Sequence, residues 1–234
     1  MLKICLLGSF EISYKNASVH ISSRPAQSLF AYLALNNETA HRREKLARML
    51  WPDSSETTAR QNLRHALWRI RKTLPNTLQI EYILADDFSI AFNASSEYWL
   101  DVAILKKAEL CKTADELLAV LPVYQGELLP GFYEEWVILE RNYLNFRFEH
   151  NMARLLSKLE KECRWLDILE WGERWLSYGQ RPEPAYRALM CAHMEKGDMP
   201  KVADTYERCV RSLEEIGLEP SEQTRNLYEI LKFG

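Results

Sequence analysis

The sequence lacks the features of a membrane protein, a secreted protein or a zinc protein. Its longest unbroken apolar run, residues 29–35, has seven residues, whereas a membrane-spanning helix needs about 20. The N-terminal apolar stretch meets Gly8 and Glu11 too early to form the core of a signal peptide. The five cysteines form no CxxC pair, which argues against a disulfide framework and a zinc site. We therefore expect a cytoplasmic protein with no membrane partner.

The sequence also lacks the common motifs of enzymes. It contains no GxxxxGK(S/T) phosphate loop, no HExxH metal motif and no GxSxG nucleophile elbow. The five histidines are scattered, and none lies at metal-ligand spacing from another. We therefore expect no enzyme, no catalytic residue, no metal site and no cofactor.

Charge is distributed unevenly along the 234 residues. Residues 1–75 contain 12 Lys and Arg but only 5 Asp and Glu, a net charge of +7, whereas the remaining residues have a net charge of −10. Hydrophobic residues make up 47% and charged residues 27% of the chain, as in soluble globular proteins. A basic part attracts polyanions and an acidic part does not. The split predicts two domains with different partners.

The first 95 residues predict strands, three helices and a hairpin, the order of a winged helix. Ser22 and Ser23 before Pro25 indicate a helix start. The predicted strands lie within 2–12 and 17–21, the helices span 24–35, 43–50 and 57–74, and the hairpin covers 77–92. Strand patterns stop from about Trp99. Five helices follow, at about 134–162, 164–177, 184–196, 200–215 and 221–232.

Helix pairs that repeat every 34–40 residues are typical of a tetratricopeptide-type solenoid. Leu189, Gly197 and Tyr206 fit its core leucine, turn glycine and aromatic position. The predicted fold is mainly α with a small β part. A winged helix-turn-helix domain over 1–97 precedes an all-α tetratricopeptide-like helical repeat domain over 98–234.

The third helix is amphipathic. At 100° per residue, its apolar side chains fall within an arc of about 100°: Ala59, Leu63, Ala66, Leu67, Ile70 and Leu74. An opposite arc of about 140° contains four cations and no acid: Arg60, Gln61, Arg64, His65, Trp68, Arg71 and Lys72. Surface helices usually intersperse charges of both signs. This face therefore favours a polyanion partner, and we expect double-stranded DNA.

In the major groove, Arg bonds guanine and Gln bonds adenine through two hydrogen bonds each. The N-terminal part of a recognition helix usually reaches the bases, so we expect Arg60, Gln61 and Arg64 to read them. We expect contacts with the DNA backbone from the remaining polar residues near this face: Thr57, His65, Arg71, Lys72, Arg24, Arg43 and Lys45. Trp68 is expected to support the helix against the wing or the second domain.

Two alternatives use the same residues differently. The basic face could be ordinary solvated surface or pack on the acidic domain. The chain could also be a protein-interaction scaffold whose solenoid groove is lined by aromatic side chains: Trp136, Trp165, Trp171, Trp175 and Tyr178. A third reading makes the chain the N-terminal part of a larger multidomain signalling regulator.

Several segments together resemble the streptomycete antibiotic regulatory protein (SARP) family. The most diagnostic are LWPD at 50–53, ARQNLRHALWRIRK at 59–72 and GELLPGFYEEWV at 126–137. The resemblance extends from residue 2 to about 231. It implies an OmpR-type winged helix joined to a bacterial transcriptional activator domain over 99–231. It also implies a transcription factor that binds promoter direct repeats, often as a homodimer, and recruits RNA polymerase.

The expected wing departs from the family pattern. OmpR-type wings usually have glycine or a cation at the tip, whereas this tip reads Ala85-Asp86-Asp87-Phe88. Two carboxylates would be repelled by phosphates. Specificity could then rest on the helix alone, or Asp86 and Asp87 could cap a neighbouring turn.

Overall fold

The computed structural model describes residues 1–75, 81–178 and 181–233 of the chain. Its strands are short and lie in the first 100 residues: β1 (Leu2–Cys5), β2 (Glu11–Tyr14), β3 (Ala17–Ser18), β4 (His41–Arg42), β5 (Ile83–Ala85), β6 (Ser89–Phe92) and β7 (Tyr98–Leu100). They form one sheet of order β3-β2-β1-β7 and a second of order β4-β6-β5. All pairs are antiparallel except β1 with β7.

The helices make up most of the chain, so the predicted fold class, mainly α with a small β part, is confirmed. In chain order they are α1 (Arg24–Leu35), α2 (Arg43–Leu50), α3 (Glu56–Thr73), α4 (Asp101–Lys106), α5 (Ala114–Val120), α6 (Glu135–Lys161), α7 (Trp165–Leu176), α8 (Glu183–Glu195), α9 (Met199–Glu214) and α10 (Glu222–Phe233). Short 3-10 turns follow α4 and α5.

Two strands were not predicted. The sequence pattern places helix from about Trp99 onward, but β7 pairs in parallel with β1, with Leu2 opposite Tyr98 and Ile4 opposite Leu100. The two-residue strand β4 pairs with β6, with His41 opposite Ile90. The first strand of the predicted hairpin started at residue 77, and its residues 77–80 lie outside the described part of the chain.

The chain folds into two compact units, and the boundary between them differs from the predicted domain boundary after residue 97. One unit comprises residues 1–107 and 122–145, and the other comprises residues 108–121 and 146–234. The division therefore falls within α6. The strand β7 belongs to the first unit although the second predicted domain starts at residue 98.

The core of the first unit is aromatic and aliphatic. The ring of Phe30 on α1 meets Phe92 on β6 at 6.1 Å between centroids, and Phe92 meets Tyr98 on β7 at 4.8 Å. Both phenylalanines are fully buried. Asp101 at the start of α4 is buried too, and its carboxylate accepts hydrogen bonds from the backbone N–H groups of Leu6 and Leu7 at 2.6 and 2.8 Å. This carboxylate ties the end of β1 to the chain that follows β7.

In the second unit, α8 packs against both α7 and α9, as consecutive helices of the predicted repeat do. Leu189 is fully buried, and Gly197 adopts a left-handed φ of +73° in the turn between α8 and α9. Trp171 and Trp175 are buried in the helix core. They therefore do not offer the open aromatic groove of the scaffold alternative. Among the described residues, no helix combines the length and apolar character needed to cross a membrane.

The helices α7 and α8 approach closely at Gly172, which gives a stability prediction. A Cβ atom at this position would lie 2.8 Å from Cγ of Leu189, too close for a van der Waals contact. Gly172→Ala should therefore lower the free energy of unfolding by about 1–3 kcal/mol in chemical denaturation. In a Leu189→Ala background the clash is absent, and the same change should be neutral or stabilise by up to about 1 kcal/mol because alanine favours helix. An equal loss in both backgrounds would contradict this packing explanation.

Candidate nucleic-acid interface

The helix α3 presents the face that the sequence predicted. Ser55 caps its N-terminus by accepting a hydrogen bond from the Thr58 N–H at 3.3 Å. The apolar side chains of the predicted inner arc are buried: Ala59, Leu63, Ala66, Leu67 and Ile70. The helix is thereby fixed on the core, so its polar face points outward in one orientation.

Three residues of the outward face have side chains with no partner in the described part of the chain. Gln61, Arg64 and His65 are exposed. They form no hydrogen bond or ion pair with any residue in the described part of the chain. Thr57, in the first turn, is exposed as well. These four side chains of α3, all expected to contact DNA, are therefore accessible to a ligand.

Arg60 is exposed but paired with two carboxylates. Its Nη2 lies 2.6 Å from Oε1 of Glu56 and 3.5 Å from Oε1 of Glu44 on α2. A helical wheel of α3 shows no acid on the face, but it cannot show Glu44, which comes from another helix. The local positive charge is thus lower than the sequence pattern suggests.

Arg71 differs from the expected DNA-backbone contact. It is half-buried, and its Nη2 donates to Oε1 of Glu81 at 2.8 Å and to the backbone carbonyl of Ile83 at 3.2 Å. These bonds hold the first strand of the wing hairpin against the end of α3. We therefore assign Arg71 to positioning the wing.

Arg43 also fastens the wing. Its Nε donates to the backbone carbonyl of Asp86 at 2.8 Å, and its backbone N–H donates to the carbonyl of Phe88 at 3.0 Å. The start of α2 and the tip of the hairpin are therefore one connected surface. Lys45, two residues further along α2, is exposed and forms no ion pair with any described residue.

The remaining predicted contacts lie in two different settings. The guanidinium of Arg24 lies over the ring of Phe132, 4.6 Å from its centroid, so packing engages this cation. Lys72 lies 4.8 Å from the ring centroid of Trp68. Trp68 is 59% exposed, so it does not support α3 against the wing or another domain as expected. It presents its indole ring on the outward face.

The wing tip is a rigid turn built on Asp86. Its carboxylate accepts hydrogen bonds from the backbone N–H groups of Phe88 and Ser89, both at 2.7 Å, and from the Ser89 hydroxyl at 3.0 Å. These bonds lower the pKa of the Asp86 carboxyl below its ordinary value. Asp86 thus caps its own turn, whereas the sequence reading had Asp86 and Asp87 capping a neighbouring one.

Phe88 precedes Ile90 and Phe92 at the two-residue spacing of side chains on one face of a strand. Those two side chains are buried, but Phe88 is 82% exposed. The strand β6 starts at Ser89, so Phe88 belongs to the turn and the alternation of strand side chains does not apply to it. The sequence contained no signal for this exposure, apart from the two acids that precede it.

A groove of about 580 Å³ separates the outward face of α3 from the wing. Four guanidinium groups and two carboxylates line it: Arg43, Arg60, Arg64, Arg71, Glu44 and Asp87. Trp68 forms another part of its wall. We call it the helix–wing groove. Its excess of positive charge suits a polyanion.

Metal binding and thiol chemistry would need side chains other than those that line the groove. Among the described residues, no group of three or more His, Cys, Asp or Glu side chains is arranged to hold a metal ion. Burial raises the pKa values of the Cys191 and Cys209 thiols to about 11. Since the thiolate is the reactive form, these two cysteines are poor nucleophiles near neutral pH.

Comparison with protein families matches residues 101–232 to the bacterial transcriptional activator domain, which is more than half of the chain. Among solved structures, Mycobacterium tuberculosis EmbR in complex with a low affinity phosphopeptide matches with a TM-score of 0.73 and 17% sequence identity. The match covers 99% of this chain and 65% of that chain. Comparison with curated proteins gave no match.

Proposed function

The chain belongs to the family of transcriptional regulators with a bacterial transcriptional activator domain, and we propose that it acts by binding double-stranded DNA through α3. The observation that carries this proposal is the outward face of α3, on which Gln61, Arg64 and His65 are exposed and unengaged. No carboxylate lies on α3 after Glu56. The fold resembles that of EmbR over 99% of this chain.

We assign base reading to the first half of α3. Arg60, Gln61 and Arg64 lie in its first three turns, where a recognition helix approaches base edges. His65, Lys72 and Thr57 are then placed for phosphates. We do not include Arg24 and Arg71 among the proposed DNA contacts. Arg24 packs on the ring of Phe132, and Arg71 bonds Glu81 beside the wing strand.

The helix–wing groove supports the same orientation. In B-DNA the major and minor grooves are separated by one phosphate backbone. A helix in the major groove and a hairpin beside it must have this backbone between them, and the groove has guanidinium groups there. Phosphate contacts of this type fix the register of a protein on DNA.

The roles of the helical domain in partner contact, dimer formation and activation rest on family resemblance. We propose that residues 101–232 contact RNA polymerase or another partner and form a homodimer on promoter direct repeats, so that the protein activates transcription. EmbR is seen with a phosphopeptide, but this chain spans only 65% of the EmbR chain. Phosphopeptide binding is therefore not part of the proposal.

Selection from a pool of random duplexes tests the proposal. The full chain should enrich a defined motif, and its affinity should fall steeply with salt because bound phosphates release counterions. The control Arg211→Ala removes an exposed arginine from α9 and should enrich the same motif. Failure of the wild-type chain to bind any duplex above background at low salt would contradict DNA binding.

The carboxylate of Glu44 should weaken DNA binding. It pairs with Arg60 and adds a negative charge beside the groove. Glu44→Gln should therefore raise the affinity for the enriched duplex by about three- to tenfold at low salt, with a smaller gain at high salt. Fluorescence anisotropy measures this change. Glu214→Gln, an exposed carboxylate on α9, is the matched control and should leave the affinity unchanged; equal gains in both variants would indicate only a net-charge effect.

A further inference from the structure

We propose that Phe88 makes an apolar contact with the minor groove of DNA, beside the major groove occupied by α3. This inference rests on the proposed function, because it requires that α3 binds DNA. The wing then contacts DNA through an apolar ring, whose contribution to affinity does not depend on salt, and not through a cation. Three observations lead to it: the exposure of the ring, the rigidity of its turn and its position across the helix–wing groove.

Phe88 has no role in holding the fold. Its side chain is 82% exposed, while the next two apolar residues of the hairpin, Ile90 and Phe92, fill the core. A large apolar ring left in water at a loop tip gains nothing from folding. A single exposed apolar side chain is ordinary on a protein surface, so the contact depends on how the turn holds the ring and on where the ring lies.

The turn holds the ring in place. Asp86 accepts three hydrogen bonds within the turn, from the Phe88 and Ser89 backbone N–H groups and the Ser89 hydroxyl. Arg43 bonds the carbonyls of both Asp86 and Phe88. The two ends of the turn are thereby tied to α2, so little conformational entropy is lost when the ring is buried by a ligand.

The position of the turn selects the minor groove. Asp87, next to Phe88, lines the helix–wing groove opposite Arg64 and Trp68 of α3. If α3 lies in the major groove and a phosphate backbone lies in the helix–wing groove, the structure on the far side of that backbone meets the minor groove. Asp87 makes close phosphate contact by the tip unfavourable, and it leaves the neighbouring ring as the group that fits.

Apolar side chains contact the minor groove by a known physical route. They lie against sugar faces or wedge between base pairs, which costs unstacking energy and bends the duplex. The cost is lowest at flexible pyrimidine–purine steps such as TA and CA. The enriched motif should therefore contain such a step beside the bases read by α3.

Phe88→Ala and Phe88→Leu test the contact on the enriched duplex. Phe88→Ala should lower the affinity by about tenfold, with an unchanged slope of log K against log salt because no phosphate charge is involved. Phe88→Leu should recover most of the affinity. Leu166→Ala, which removes another strongly exposed apolar side chain on α7, should bind like wild type. Circular dichroism with thermal melting checks that each variant folds.

The outcomes separate the inference from the proposed function. If the wild-type chain binds DNA and Phe88→Ala binds equally well, the inference is overturned and the proposed function stands. If Phe88→Ala changes the salt slope, or weakens only the binding of a second copy on a two-repeat duplex, the ring has a different partner and the inference is again overturned. If the wild-type chain binds no duplex, both proposals fail.

Discussion

Replacing Arg60 and Arg64 together by alanine should lower the affinity for the enriched duplex by about 100-fold or more. Each arginine that bonds a guanine contributes about 1–3 kcal/mol of discrimination, and 1.4 kcal/mol corresponds to a factor of ten. The fold should not suffer, because both side chains are exposed. Arg64 forms no ion pair with a described residue, and exposed pairs like Arg60 with Glu56 contribute little to stability.

The salt dependence gives the double variant a second readout. The slope of log K against log salt should change little, since these arginines bond bases and only a neutralised phosphate contributes about 0.9 to the slope. Enrichment from random duplexes should also lose the bases that these arginines read. The control Arg211→Ala should retain both slope and motif. Unchanged affinity of the double variant would place the DNA contact elsewhere.

Replacing Asp101 by alanine should cause the largest loss of stability, about 3–5 kcal/mol in the free energy of unfolding, because buried backbone donors lose their acceptor. The carboxylate accepts from Leu6, Leu7 and Val102 N–H groups at 2.6, 2.8 and 2.7 Å. Asp101→Asn keeps the shape and one acceptor oxygen, so it should lie between wild type and alanine. Equal stability of all three proteins would show that these bonds contribute nothing.

The same carboxylate should give a distinct pH dependence. Burial raises the pKa of Asp101 above its ordinary value, although the bonded N–H groups oppose this. The folded state therefore holds the proton more tightly than the unfolded state. The contribution of this group to the free energy of unfolding should fall as pH rises from the ordinary pKa to the raised one. The difference between wild type and Asp101→Asn, measured by chemical denaturation across this acidic range, should show this fall.

Local signals predicted the helices well. Ser22, Ser23 and Pro25 located the start of α1, and the predicted start of the third helix at residue 57 lies one residue from the observed start of α3. The predicted helices at 164–177, 184–196, 200–215 and 221–232 likewise start within one residue of α7 to α10. These features are local: a cap or a helix-breaking residue acts on the next few backbone groups, so the sequence alone contains the information.

Tertiary contacts could not be predicted in this way. The three residues of β7 form a strand because β1 pairs with them, and three residues carry too little periodicity to show it. A wheel of α3 placed Arg71 with the exposed cations, but a strand from elsewhere in the chain engages it. The same limitation hid Glu44 from the charge pattern around Arg60.

The candidate site was therefore predicted in part. The outward face of α3 depends only on helix geometry, and Gln61, Arg64 and His65 lie on it as expected. The wing depended on three-dimensional contacts. The acidic tip was recognised as unusual, and Asp86 caps its own turn. The exposure of Phe88 was not predicted, because an alternating pattern does not show that β6 starts only at Ser89.

Methylation interference on the enriched duplex tests the central claim most directly. Methyl groups on guanine N7 lie in the major groove, where Arg60 or Arg64 would bond N7 and O6. Methylation of these guanines should abolish binding of the wild-type chain. The Arg60→Ala/Arg64→Ala variant, assayed at the higher concentration that it needs, should be insensitive to the same methyl groups. Binding of the wild-type chain that tolerates N7 methylation throughout the motif would contradict the placement of α3 in the major groove.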